Sequence, residues 1–156
     1  MITCNFEDGG KALLRHVTAD TLVIKDGKIL LVKRTGKLLE SGKWGLAGGY
    51  MDRDETIAQT ATREVMEETG WTIKDLTLLR VNDQLDRPKE DRQNVEFVHF
   101  ATAVQKTGKA DAESSEQKWF DLEDLPPKEE IAFDHAENIE LYKKYLKEPF
   151  ILPIVG

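Results

Sequence analysis

The sequence carries a single cysteine, Cys4, in 156 residues. An intrachain disulfide and any multi-cysteine zinc site are therefore excluded, and a reducing, cytoplasmic setting is expected. Long apolar runs are missing as well; none approaches the roughly 18 residues of a membrane span. The opening MITCNFEDGG has no basic stretch followed by an apolar one, so a secretory signal is not expected. Positive charge is short, with 22 Lys plus Arg against 29 Asp plus Glu and a net charge of −7. That balance argues against a binder of duplex nucleic acid and against a polybasic membrane patch. Repeats, low-complexity tracts and linker-like stretches are also lacking, and the length suits one domain over 1–156. What the chain has in excess is charge, 33 % against the roughly 25 % of typical globular chains.

That excess is unevenly placed. Residues 1–51 carry net +3, residues 52–68 net −4, and residues 108–130 net −5. The stretch 69–107 between the acidic segments is neutral, and 131–156 carries −1. Such a pattern suits an acidic metal site with cationic groups nearby.

The elements follow from periodicity and turn chemistry. Val17 to Ile24, rich in Val, Ile and Thr, reads as a strand, and Lys28 to Lys33 as a second. Asp26-Gly27 between them is a two-residue hairpin signal. A loop punctuated by Gly42, Gly45, Gly48 and Gly49 follows. Residues 57–69 read as a helix, with a Thr56/Gln59 capping box at its start and Gly70 at its end. Leu76–Val81, Val95–Val104 and Lys118–Asp121 read as strands, joined by polar loops over 82–94 and 105–116. Asp134 to Lys147 reads as an amphipathic helix with Ile139, Tyr142, Tyr145 and Leu146 on its stripe. The order β-β-α-β-β-β-α is a mixed α+β domain, most simply a sheet with helices packed on it.

The first helix breaks the rule that Glu residues turn away from the apolar stripe. With Glu64 at zero and about 100° per residue, Ile57, Ala61, Val65 and Ala58 fall between about 20° and 120°. Glu68 falls inside that stripe at about 40°, with Glu64 at its edge and Glu67 at about −60°. Two carboxylates one turn apart repel, and burying either is costly without compensation. A cation must sit there, either Lys or Arg from the N-terminal third or a divalent metal.

These residues match a family pattern. Gly49, five residues, Glu55, seven residues, then Arg63-Glu64-Val65-Met66-Glu67-Glu68-Thr69-Gly70-Trp71 resembles the Nudix box, with seven fixed identities at the required spacing. The resemblance covers 49–71, and Leu31–Arg34, Trp44–Leu46, Glu116–Trp119 and Leu125-Pro126 are similar to the family's flanks. Two positions depart from it: Ala47 stands where a proline usually precedes the Gly-Gly pair, and Trp71 where an aliphatic residue usually closes the box.

The resemblance implies an α/β/α sandwich with a mixed β-sheet between helices. It implies a Mg²⁺- or Mn²⁺-dependent hydrolase of a nucleoside diphosphate linked to another group, a small-molecule partner. By the same resemblance Glu64 and Glu68 are principal metal ligands, Glu67 is a third ligand or a ligand for a second ion and also a catalytic residue, and the Gly48 carbonyl is a further ligand. Arg63 and Glu55 correspond to the family's orienting pair. The general base varies within the family, and the second acidic segment supplies Glu113 and Glu116 as candidates, with Glu116 preferred. For substrate binding the sequence offers Arg34 as a phosphate contact, Gly49 for close approach, and Trp44 as a ring that either stacks on a base or packs in the core. His99, in a strand among apolar residues, reads as a core histidine. Pro88 lies in the region where ADP-ribose hydrolases of the family carry a characteristic proline. ADP-ribose or a related derivative is the first expectation. A house-cleaning nucleoside triphosphate pyrophosphohydrolase is the alternative, and a non-catalytic nucleotide sensor the remote one. The oligomeric state is open, a homodimer included.

Overall fold

The computed structural model describes residues 2–36, 38–86, 93–110 and 114–156. Its centre is the hairpin of β3 (Val17–Lys25) and β4 (Lys28–Arg34). Asp26 and Gly27 both take positive φ, 50° and 74°, as a type I′ turn requires. The register is antiparallel, with Val23 opposite Leu30 and Lys25 opposite Lys28.

Away from the turn the two strands part, and the glycine-punctuated segment fills the gap. It is not a loop but two short strands, β5 (Trp44–Gly45) against β4 and β6 (Ala47–Tyr50) against β3. Gly48 and Gly49 serve here as extended residues without side chains, not as turn formers.

The sheet order is β10-β7-β8-β3-β4-β5, with β6 on β3 and β9 on β4. The strands are β7 (Trp71–Asn82), β8 (Val95–Lys106), β9 (Ser114–Asp121) and β10 (Ile154–Val155). The pairs β3/β8 and β7/β10 are parallel and the others antiparallel, so the sheet is mixed. A separate hairpin of β1 (Ile2–Asn5) and β2 (Lys11–Leu14) precedes it, which periodicity did not reveal.

Two helices cover opposite faces. α1 (Ile57–Thr69) lays Val65 against Val23, Leu30, Ala47 and Ala103. α2 (His135–Lys147) lays Ile139 and Tyr142 against Leu22, Ile29, Leu31, Leu79 and Val98. Consecutive residues of β3 and β4 alternate between these two cores, which is the period-2 signature of a sheet buried on both sides. The result is an α/β/α sandwich.

Three expectations need correction. The strand expected over Leu76–Val81 begins at Trp71, because register shifts near Ile73, Lys74 and Leu78 interrupt its alternation. β9 begins at Ser114, since backbone pairing to β4 sustains a polar edge strand. Leu146 is 54 % exposed, so the apolar stripe of α2 stops at Tyr145.

Candidate active site

α1 starts on a complete capping box: Gln59 N–H donates to the Thr56 hydroxyl, and Thr56 N–H to the Gln59 side chain at 2.8 Å. Gly70 closes the helix with φ 74°, its N–H on the Met66 carbonyl. Between these ends the carboxylates stand as the helical wheel requires. Glu68 is 6 % exposed, Glu64 half-buried, and the Glu67 side chain half open to solvent.

Arg63 organises them. Its Nε donates to Glu55 Oε1 at 2.6 Å and its Nη2 to Glu55 Oε2 at 3.1 Å, a bidentate pair. Nη1 donates to Glu64 Oε1 at 2.7 Å and to Glu67 Oε2 at 2.9 Å. Nη2 also reaches the Tyr50 carbonyl at 3.0 Å, tying the end of β6 to the helix. Arg63 thus supplies a cation from the helix itself to Glu64 and Glu67, while Glu68, inside the stripe, is bonded to the Gly48 amide. The Arg63 bonds hold the Glu55 carboxyl down at about 2, helped by the Thr60 hydroxyl and the Asp52 N–H. The same bond to Glu55, with those to Glu64 and Glu67, raises the Arg63 guanidinium further above its ordinary range.

The glycine strand meets the helix directly. Glu68 Oε2 accepts from Gly48 N–H at 3.0 Å. A Cβ on Gly49 would stand 2.5 Å from Glu64 Oε1, and one on Gly48 would overlap Asp20 Oδ1 and the Ala19 carbonyl. Gly48 therefore demands glycine for space, because backbone blocks a Cβ there, whereas at Gly49 the end of the Glu64 side chain would have to shift. Glu64 and Glu68 stand beside the glycine strand, Glu67 joins Glu64 through Arg63, and all three offer only oxygen donors. Hard divalent cations such as Mg²⁺ or Mn²⁺ favour such donors, so these residues fit the metal that the box implies.

A second group of ligand-type atoms lies beneath the glycine strand, on the α2 side. One atom each from Asp20, Glu96 and His135 lie within 4.8 Å of one another. His135 Nδ1 accepts from Leu46 N–H at 3.0 Å, so the neutral ring carries its proton on Nε2. A histidine ligating through Nε2 would need the opposite arrangement, with Nδ1 as donor. Nε2 faces Asp20 Oδ2 at 3.9 Å as a proton carrier, and we assign no metal there. Around it runs a buried polar layer. Arg80 Nη1 donates to Asn138 Oδ1 at 3.1 Å, Asn138 Nδ2 to Glu96 Oε2 at 3.4 Å, and Asn82 Nδ2 to Asp134 Oδ2 at 2.7 Å.

The other expected residues are dispersed. Arg34 borders the glycine strand, where its Nε donates to the Leu39 carbonyl at 2.9 Å and its guanidinium lies 5.1 Å from the Phe133 ring centre. Trp44 is buried in the α2-side core, edge-on to Phe120 at 5.0 Å with Lys33 Nζ over its ring. That packing takes up the ring the sequence had offered for stacking. Glu116 is not in a loop: it sits in β9 opposite Lys33, exposed, on the strand face of Phe120, whereas α1 packs on the Trp119 face. His99 is buried, with Nδ1 at 3.1 Å from the Phe97 carbonyl, and burial lowers its pKa. Pro88 and Glu113 lie outside the described residues.

Sequence reasoning missed Asp20, Glu96 and His135. One signal was available for Asp20: a lone acid among the apolar and Thr residues of Val17–Ile24. Nothing in the spacing tied it to residues 76 and 115 positions further on.

A family model described as NUDIX domain matches residues 14–142. An ADP-ribose pyrophosphatase of Methanocaldococcus jannaschii is 33 % identical over 129 residues, covering 83 % of this chain and 73 % of that protein. Human 8-oxo-dGDP phosphatase NUDT18 is 31 % identical over 145 residues, covering 88 % of this chain but only 42 % of that longer protein. The NUDIX domain of Shewanella oneidensis NrtR, solved with ADP ribose, superposes with TM-score 0.70 at 28 % identity, covering 86 % of this chain and 90 % of that one. An ADP-ribose pyrophosphatase structure from Streptococcus suis shares the fold, with TM-score 0.74 at 20 % identity, covering 92 % of this chain and 100 % of that one.

Proposed function

The chain belongs to the NUDIX family, and from that membership we propose that it hydrolyses the pyrophosphate bond of a nucleoside diphosphate joined to a second group, with ADP-ribose as substrate. The observation that carries the reading is the carboxylate row of α1: Glu64 and Glu67 braced by Arg63, Glu68 bonded to Gly48 N–H, and Glu64 against Gly49. The likeness to an ADP-ribose pyrophosphatase and to a domain solved with ADP ribose supports that substrate.

Glu64 and Glu68 are the proposed holders of a Mg²⁺ or Mn²⁺ ion, with Glu67 and the Gly48 carbonyl as further ligands. When bound, the ion supplies charge neutralisation for the pyrophosphate and polarisation of its phosphorus–oxygen bonds. Glu67, the most open of the three, is the proposed base. Its carboxylate takes the proton of a water whose oxygen attacks phosphorus, and the bridging oxygen leaves on the other phosphate. Arg63 and Glu55 orient the helix carboxylates. Arg34, at the border of the glycine strand, is the proposed phosphate contact. Glu116 keeps no role in this scheme, because its strand places it on the other face from α1.

Incubation with Mg²⁺ and ADP-ribose tests the proposal: AMP and ribose 5-phosphate are expected as products. The likeness to the human 8-oxo-dGDP phosphatase keeps a house-cleaning hydrolase as the second reading. Turnover of oxidised guanine nucleotides in preference to ADP-ribose would replace the first with the second.

A further inference from the structure

The glycine strand needs more than the absence of side chains to hold its place beside α1, and the α2 side supplies a second clamp. Three contacts join the approach to α2 and its first residue to Trp44 of β5 and to Leu46, the residue just before β6. Ala132 N–H donates to the Trp44 carbonyl at 2.8 Å, Trp44 and Ile131 form an isolated parallel bridge, and Leu46 N–H donates to His135 Nδ1 at 3.0 Å. Of these only the last is a side-chain contact, and it lies two residues from Gly48. Both partners are buried, and His135 is 3 % exposed.

The surroundings of the ring are built for one orientation. Gly45 admits it, since a Cβ there would stand 3.3 Å from Nδ1. The Nε2 edge faces Asp20 Oδ2 at 3.9 Å, and the other Asp20 oxygen lies against the back of Gly48. The Asp20 carboxylate at the Nε2 edge favours the tautomer with its proton there, which leaves Nδ1 to accept. Glu96, the third member of the group, is buried and bonded to Asn138 of α2. Asp20, a buried carboxylate that no catalytic step uses, thereby gains a purpose.

We propose that His135 is a positioning residue for the glycine strand: its Nδ1 fixes the Leu46 amide, and through it the place of Gly48 beside Glu68. The proposal rests on the metal site described above. It commits to the acceptor at Nδ1, and two substitutions separate that from bulk or polarity. In His135→Asn the side-chain oxygen falls at the Nδ1 position and keeps an acceptor for Leu46. In His135→Gln the polar atoms fall near the Nε2 position and the Leu46 amide loses its partner.

Three quantities are read on both variants, exchange of the Leu46 amide by NMR, Mn²⁺ affinity of the metal-free protein by calorimetry, and kcat for ADP-ribose, with KM as the control. His135→Gln is expected to speed Leu46 exchange, weaken Mn²⁺ about tenfold and lower kcat about tenfold, the scale on which outer-shell partners act. KM is expected to hold, and His135→Asn to restore all three quantities. Loss of Leu46 protection with Mn²⁺ affinity and kcat unchanged overturns the proposal, as does His135→Asn failing as fully as His135→Gln. Glu68→Gln, run beside them, reports on the metal site alone. If it leaves Mn²⁺ affinity intact the metal assignment falls, and the kcat contrast between the two His135 variants still decides the role of His135.

Discussion

Arg63 divides one guanidinium among Glu55, Glu64, Glu67 and the Tyr50 carbonyl. Glu68 stands outside that arrangement: it is the most buried of the carboxylates and is bonded to Gly48 N–H. Glu68→Gln keeps the shape and a hydrogen-bond acceptor but removes the charge. Turnover is expected to fall by more than the roughly 100-fold that outer-shell changes cost, with the melting temperature nearly unchanged. Steady-state rates and calorimetry on the same preparation check this; full activity in that variant would remove Glu68 from the site. The glycines give a graded counterpart. Gly49→Ala presses a methyl group on the flexible end of Glu64, so it is expected to lower kcat with little loss of stability. Gly48→Ala presses on the Ala19 backbone as well as Asp20. Overpacking of that kind costs about 1–3 kcal/mol, or roughly 2–4 °C for each kcal/mol in a chain of this size. Thermal melts that rank the two in the opposite order would refute the steric account.

At the scale of elements, α1 was readable because all its signals are local. The capping box, the closing glycine and the 3.6 period lie within residues 56–70, and the structure realises each of them. The β3–β4 hairpin was readable for the same reason. The glycine segment was not: its strands exist because the hairpin parts and leaves edges to fill, which is a tertiary fact. The buried group of Asp20, Glu96 and His135 was hidden likewise, since only a parallel β3/β8 pair and a returning helix bring the three together. Trp44 carried two readings in the sequence, stacking on a base or packing in the core, and only the tertiary fold shows the ring packed against Phe120. The tie between the 50–56 turn and α1 yields a pH prediction. Glu55 titrates at about 2 in the folded protein, below its ordinary 4.5, so its bonds favour the folded state fully above pH 4.5. That contribution falls away as the pH drops from about 4.5 toward 2. Melting temperatures of the native protein and of Glu55→Gln should therefore differ at pH 6 and converge at pH 2. A constant gap across that range would show that the Arg63–Glu55 pair does not carry the difference.

At the scale of the whole molecule, a chain of net charge −7 is proposed to bind a polyanion. Glu116 lies on the sheet face away from α1, so the argument is made for residues 52–68. There Glu55, Glu64, Glu67 and Glu68 crowd the end of the glycine strand, with Arg63 among them. Repulsion among those carboxylates works against the fold in the absence of a counterion, and a divalent cation relieves it while reversing the local sign. Metal binding is therefore expected to stabilise the molecule as well as its substrate. A ligand at 100 times its Kd adds about 2.7 kcal/mol, which for a chain of this length raises the melting temperature by roughly 5–10 °C. Mg²⁺ or Mn²⁺ added to chelator-treated protein should give such a rise, saturating with concentration. Glu68→Gln should show a smaller rise at the same concentrations, because one ligand is neutral. Sodium chloride at equal ionic strength serves as the screening control, since it weakens the repulsion without occupying a site. A rise that sodium reproduces in full would reduce the acidic helix to a screened surface and leave the pyrophosphate without its anchor.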